Sequence, residues 1–365
     1  MRIYSRIKIL DSIRGIAALV VLYHHIFKLN KKIFQNNLTS TWFDIFDYVS
    51  SLNKEAVLLF FIISGFSIGL SVSKRPINTK KSLNTYIYKR LKRILPIYWI
   101  SIALAFVIGF VLNILYLKDF NIINFIGNLF FLQTSASIAE SWVVPYGLNG
   151  PLWSLAFEMF FYLAFPIAYI LNKKYLLKTN LNVKYIVFIF IILIGIIFNK
   201  KIFFVPYFLF LAGFITWIQG YISSKYFTLW QKNNLFFITN FMIGLMSIIF
   251  HNYIPSDTLL VIGKGMFLNG IFYFSMLFFE NKNFDKTQNI INKLFFKIGE
   301  GSYAIYALHY PFLIFFEMKK IDLMYQLLFI PPFIVVCYFL EKRSIQWKLK
   351  FLELNYLKPL QLLKK

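Results

Sequence analysis

Cysteine, acidic residues and long polar stretches are all scarce in this 365-residue chain. Cys337 stands alone, so no intramolecular disulfide can form, no thiolate metal cluster can assemble, and cysteine usage leaves the compartment open. Only 15 Asp and Glu face 39 Lys and Arg, a formal net charge of +24. No polar segment is long enough to make a soluble domain, and no internal repeat or low-complexity linker interrupts the chain. The first apolar run is followed by neither an Ala-x-Ala cleavage pattern nor a mature soluble domain, so it reads as a retained helix and not as a removed signal peptide.

What fills the chain is apolar: 59% of residues are hydrophobic and 21% aromatic, with a mean hydropathy of +0.63. That balance lies far outside the range of soluble domains and marks a polytopic membrane protein. Apolar runs of roughly 16 to 22 residues, about the length a ~30 Å hydrocarbon core requires, fall near 13–28, 55–72, 94–116, 150–171, 184–199, 203–220, 233–250, 258–279, 300–316 and 324–340. These make ten spans. INFIGNLFFLQ, at 123–133, is too short to cross and reads as a re-entrant or interfacial helix.

Ten spans put both termini on one side. With that side cytoplasmic, the inner segments carry 29 of the 39 Lys and Arg, the outer loops nine, and Lys264 lies within a span. The asymmetry obeys the positive-inside rule, whereas an eleventh full span would reverse every later loop. The expected fold class is therefore an all-α polytopic membrane protein of about ten transmembrane helices plus one short re-entrant or interfacial helix, both termini cytoplasmic. Residues 1–340 form one integral domain, and 341–365 a basic amphipathic tail on the inner membrane face. The net charge serves topology and attraction to lipid headgroups, so nucleic acid is not an expected partner.

Charged and titrating groups at membrane depth are expensive, which makes each a functional candidate. In IRGIAALVVLYHHIFK, residues 13–28, Arg14 and His25 are eleven residues apart and project from nearly the same helical face, while His24 points roughly 80° away. A rise of 1.5 Å per residue carries His25 about 16 Å deeper than Arg14. GPLWSLAFEMFFYLAFP places Ser154 and Glu158 at i and i+4 on one face. In GEGSYAIYALHYPF, Ser302, Tyr306 and His309 follow at i, i+4 and i+7 along one stripe. One central polar cavity would satisfy all three stripes. YIYKRLKRILPIYW sets Arg90 and Arg93 three residues apart at the inner end of a span, either as a headgroup anchor or as a fork for phosphoryl oxygens. Gly65 and Gly69 in FFIISGFSIG have the spacing of close helix packing. In the long outer segment 29–54, Asp44 and Asp47 read as a solvated pair, and Lys264 as a side chain that snorkels outward.

These segments, in this order from LDSIRGIAALVVLYHH through FFIISGF, RLKRILPIYW and GPLWSLAFE to GSYAIYALHYPF, resemble the membrane-bound acyltransferase type 3 family, integral enzymes that move acetyl and other short acyl groups onto cell-surface glycans. The resemblance implies that the family's first-helix pattern falls on Arg14 and His25, and its paired arginines on Arg90 and Arg93; Glu158 and His309 match family blocks as well. Larger members append an extracytoplasmic hydrolase-like domain. This chain runs about 25 residues past its last span, so the expectation is that such a contribution would be absent or come from a separate protein. No family motif falls between 200 and 298.

The activity so implied is transfer of an acyl group, foremost acetyl, from cytoplasmic acyl-CoA to a hydroxyl of a cell-surface polysaccharide, lipopolysaccharide or lipid-linked sugar. Arg14, Arg90 and Arg93 would hold the coenzyme. His25 would act as general base or covalent acyl relay, with Glu158 and His309 completing the catalytic set and no metal required. Besides donor and acceptor the expected partners are membrane lipids, and the expected location is a bacterial inner membrane. Two rivals stand beside this reading. A polytopic glycosyltransferase using a lipid-linked sugar would need Asp44 and Asp47 for metal or base chemistry, and a proton-coupled transporter or flippase would use His25, Glu158 and His309 as a relay.

Overall fold

A computed structural model of the protein describes residues 2–134, 142–174, 208–228, 234–252, 257–281, 290–344 and 346. Among these residues the chain is helical throughout, without strands. The helices are α1 (Arg2–Leu29), α2 (Lys31–Asn37), α3 (Ser40–Ser51), α4 (Asn53–Lys74), α5 (Lys80–Val111), α6 (Ile122–Leu129), α7 (Trp153–Lys174), α8 (Phe208–Thr228), α9 (Asn234–Ile249), α10 (Asp257–Asn281), α11 (Ile290–Glu300), α12 (Ser302–Met318) and α13 (Leu323–Ser344).

Among the described residues, six stretches are long and apolar enough to cross a membrane: Ile9–Leu29, Ser40–Lys74, Lys80–Val111, Gly150–Leu171, Leu260–Phe278 and Leu323–Ser344. The protein is thus an integral membrane protein, all-α among its described residues. The span expected at 184–199 lies outside the described residues, and so does the expected tail beyond 344 apart from residue 346. The INFIGNLFFLQ segment forms the eight-residue α6. Residues 29–54, read from sequence as a loop, fold into α2 and α3, because their apolar positions repeat with helical spacing and pack Phe34, Phe43 and Phe46 around Phe27 and Tyr23 of α1. Asp47 pairs with Lys31 at 3.0 Å on this outer layer. Lys264, read as snorkelling outward, forms an ion pair with Glu55, with about a quarter of each side chain exposed.

α1 is the central element and packs against α3, α4, α10, α11 and α12. The Gly65 and Gly69 spacing works as the sequence suggests. A Cβ at Gly65 would collide with the Trp217 carbonyl, and one at Gly69 with the Ser224 hydroxyl, so only glycine lets α4 lie this close to α8. Thr79 and Ser82 close a reciprocal capping box at the start of α5, which fixes where the helix carrying Arg90 and Arg93 begins.

Proline chemistry sets the joint nearest the site. Pro311 has no N–H, so the carbonyl of Ala307, one turn earlier in α12, loses its helical donor. Asn149 donates its side-chain amide to that carbonyl at 3.2 Å and is itself fully buried. The turn preceding α7 is thereby tied to the helix that carries His309.

Candidate active site

The polar stripes of α1, α4, α5, α7 and α12 converge on one cavity of about 50 Å³, floored by Arg14, Arg90 and Arg93 and walled by Ser64, Glu158 and Tyr306 among others. Arg14 is held on two sides: it donates to Asp11 at 2.7 Å and to Ser67 Oγ at 2.6 Å. Arg90 lies over the rings of Tyr86 and Tyr162, with its guanidinium carbon 5.6 and 5.7 Å from their centroids, and its buried Nε has no partner. Arg93 makes no hydrogen bond or ion pair among the described residues. Three guanidinium groups thus border one small space, and two of them retain donors that nothing among the described residues takes up. Such an arrangement suits an anion with several oxygens, which arginine forks bind bidentately.

Glu158, the one carboxylate lining this cavity among the described residues, is already engaged. Its Oε1 accepts from Tyr162 at 2.5 Å and from Ser64 at 3.0 Å, and Ser64 in turn accepts from the indole N–H of Trp217 at 3.2 Å. Tyr162 follows Glu158 by one turn, so the pair was visible as an i, i+4 spacing, but the contribution of Ser64 and Trp217 from two other helices was not. Ser154 and Tyr306 close the far wall: the serine donates to the tyrosine hydroxyl at 2.7 Å, and the tyrosine donates to the Pro151 carbonyl at 3.1 Å.

His25 and His309 do not line this cavity; they meet each other farther along α1, with ring centroids 5.2 Å apart. Eleven residues of helix separate Arg14 from His25, about 16 Å at 1.5 Å per residue. Tyr306, whose ring lies 6.1 Å from that of His309, stands between the two places. His309 is 2% exposed. Its Nδ1 faces two carbonyl oxygens, Ile305 at 3.0 Å and Tyr306 at 2.8 Å. Carbonyls only accept, so Nδ1 carries the proton and Nε2 keeps its lone pair. His24 is turned away, as its position in the helix implies, with Nδ1 against the carbonyl and hydroxyl of Ser50 at 2.9 and 3.0 Å.

The six candidate residues therefore fall into two groups. Arg14, Arg90, Arg93 and Glu158 share the cavity, and His25 and His309 form a pair beyond it. Sequence reasoning missed Glu341, which is buried on α13 and accepts from the backbone amides of Tyr303 and Ala304, each at 3.1 Å. It caps the first turn of the helix that brings Tyr306 and His309 to the site. Its position at the end of an apolar run, beside a basic tail, made it look like surface. No group of three or more His, Cys, Asp or Glu is placed to hold a metal among the described residues.

Comparison with known proteins decides the family. Residues 7–341 match the acyltransferase domain family, acyltransferase type 3. The chain belongs to that family. It is similar to "Acyltransferase MdmB" of Streptomyces mycarofaciens, 29% identical over 173 residues, covering 46% of this chain and 41% of that one. It is also similar to the "O-acetyl transferase" of Shigella phage Sf6, 26% identical over 233 residues, covering 62% of this chain and 64% of the relative. The matches thus span less than two thirds of each relative's length. No solved structure matches the chain.

Proposed function

We propose that this family member transfers an acetyl group from acetyl-CoA on the cytoplasmic side to a hydroxyl of a cell-envelope glycan or lipid-linked sugar. The observation that carries the reading is the division of the site into a three-arginine cavity and a histidine pair some 16 Å further along the same helix. An acyl-CoA has that division too, with phosphates at one end and a thioester at the other. Its pantetheine arm resembles four or five peptide units, which at ~3.3–3.6 Å each extend about 15 Å. In this reading Arg90 and Arg93 grip the phosphates, Arg14 closes the anion site, and the arm runs past Tyr306 to bring the thioester to His25.

His25 then serves as general base for the acceptor hydroxyl, which typically contributes 10²- to 10⁴-fold. The covalent alternative, with the acyl group carried briefly on the imidazole, uses the same placement and lets the acceptor remain on the far side. Glu158, bonded to Tyr162 and Ser64, balances the arginines and keeps the cavity's shape, a role different from orienting the histidines. The reading goes with ten spans, both termini cytoplasmic, a bacterial inner membrane, and a separate extracytoplasmic protein where the acceptor needs further handling. The phage relative's name, an O-acetyl transferase, favours acetyl among acyl groups.

The test is orientation-dependent transfer. Inverted membrane vesicles containing the protein and native glycolipid should incorporate label from [14C]acetyl-CoA, while sealed right-side-out vesicles given the same donor should not. Equal incorporation in both orientations, or none in either, would overturn the cytoplasmic-donor reading.

A further inference from the structure

His25 and His309 each have one buried ring nitrogen, Nδ1 and Nε2 respectively, that finds no partner. We propose that these two nitrogens form an N–H···N bond, His25 Nδ1–H donating to His309 Nε2, and that His309 thereby acts as a positioning residue for His25. The consequence for rate rests on the acyl-transfer reading above; the pair itself does not.

Three observations lead there. The tautomer of His309 is fixed by its own helix, because Nδ1–H is directed at the Ile305 and Tyr306 carbonyls and only the Nε2 lone pair is left to accept. The separation fits: an N···N bond of ~2.9–3.0 Å, with each nitrogen about 1.2 Å from its ring centre, requires centroids about 5.3 Å apart, and they stand at 5.2 Å with planes 34° apart. The two nitrogens do not meet at bonding distance in the structure, and rotation of the His25 ring about its χ2 axis, a soft torsion, is the adjustment that brings them into line. The other neighbours of His25 do not compete. The Tyr310 ring meets it edge-on at 4.7 Å, and His24, at 4.8 Å, has its Nδ1 occupied by Ser50.

With Nδ1 protonated and held, His25 presents Nε2 as the basic atom. In the transfer step the acceptor's O–H proton moves to His25 Nε2 as its oxygen bonds to the thioester carbon. The C–S bond breaks, and the departing thiolate takes that proton from Nε2. His309 neither gains nor loses a proton; it accepts the hydrogen bond of the transient His25 imidazolium. The acceptor role that a buried carboxylate plays beside many catalytic histidines falls here to a neutral imidazole, and one buried in apolar surroundings avoids the desolvation of a charge.

The chain has four histidines, so nitrogen-15 histidine labelling of the full-length protein gives a spectrum simple enough to assign. The wild type should show His25 as the Nδ1–H tautomer with a through-hydrogen-bond N–N coupling to His309. His309→Phe should abolish the coupling and lower kcat for acetyl transfer about 10- to 100-fold, inside the range a general base contributes, with KM for acetyl-CoA changed less than about twofold. His309→Gln, whose side-chain oxygen can accept at the Nε2 position, should recover most of kcat. An Nε2–H tautomer at His25 in the wild type, or equal loss in the Gln and Phe variants with acetyl-CoA binding intact, would overturn the proposal. If His309→Phe does not fold, the wild-type coupling and the glutamine rescue decide. A wild type that shows the coupling but transfers no acetyl group supports the pair and counts against the acyl-transfer reading alone.

Discussion

Arg93 offers a clean separation between binding and folding. Its guanidinium borders the cavity and makes no hydrogen bond or ion pair among the described residues, unlike Arg14, which is tied to Asp11 and Ser67. Replacing it with methionine keeps the length and apolar stem while removing the fork. If Arg93 grips a phosphate of the donor, the lost charge-assisted bond is worth about 1.5–3 kcal/mol, which at 1.4 kcal/mol per decade is roughly a 10- to 150-fold rise in KM for acetyl-CoA. kcat at saturating donor should move less than about threefold, because the interaction is the same in ground and transition states. Arg93→Lys should fall between, since an ammonium restores the charge without the planar fork. Label transfer in inverted vesicles measures both constants, and a thermal unfolding midpoint in detergent measures stability, expected to change by less than about 0.5 kcal/mol. A KM within twofold of wild type in Arg93→Met would refute the phosphate-grip reasoning, and a collapse of stability would show that the residue is structural.

Two further outcomes follow from contacts outside the cavity. Asn149→Ala removes the donor that satisfies the Ala307 carbonyl freed by Pro311, and should cost about 1–3 kcal/mol for the unsatisfied group, read as a lowered unfolding midpoint; no change would mean that water or another group already serves that carbonyl. Lys264→Met removes the partner of the half-buried Glu55 carboxylate and should destabilise by about 0.5–1.5 kcal/mol, between exposed and buried pairs, whereas adding Glu55→Gln should recover part of the loss. Additive losses in the double variant would contradict the pairing.

Much of the site was legible in the sequence because membrane chemistry exaggerates the signal. A charged or titrating residue in an apolar run stands out, and helical spacing then says which face it takes. Arg14, Ser154, Glu158, Ser302 and Tyr306 line one cavity as the stripes implied, and Arg90 and Arg93 reach the same space from α5. The division of the candidates was not legible. Depth along a helix places Glu158 and His25 at similar levels, but which neighbour each meets depends on how α4, α7 and α12 pack around α1, and long-range contacts leave no periodic trace. Ser64 and Ser67, beside the packing glycines, carried no periodic signal of their own, yet they bond Glu158 and Arg14. Glu341 was hidden for a similar reason, since a carboxylate beside a basic segment looks solvated until the helix end it caps is known. The helical character of residues 40–51 was missed because a segment between two apolar runs was taken for a connection, although its aromatic spacing is that of a helix face.

The central claim is that the chemistry occurs at His25. Its most direct test is incorporation of labelled acetyl groups into native glycolipid by inverted vesicles containing either wild type or His25→Ala, with the folded fraction of each matched by its unfolding midpoint. The account predicts label in the wild type and a loss of at least about 100-fold in the variant, the lower range of general-base assistance, while binding of acetyl-CoA at the arginine cavity persists. Equal label from both proteins would contradict it.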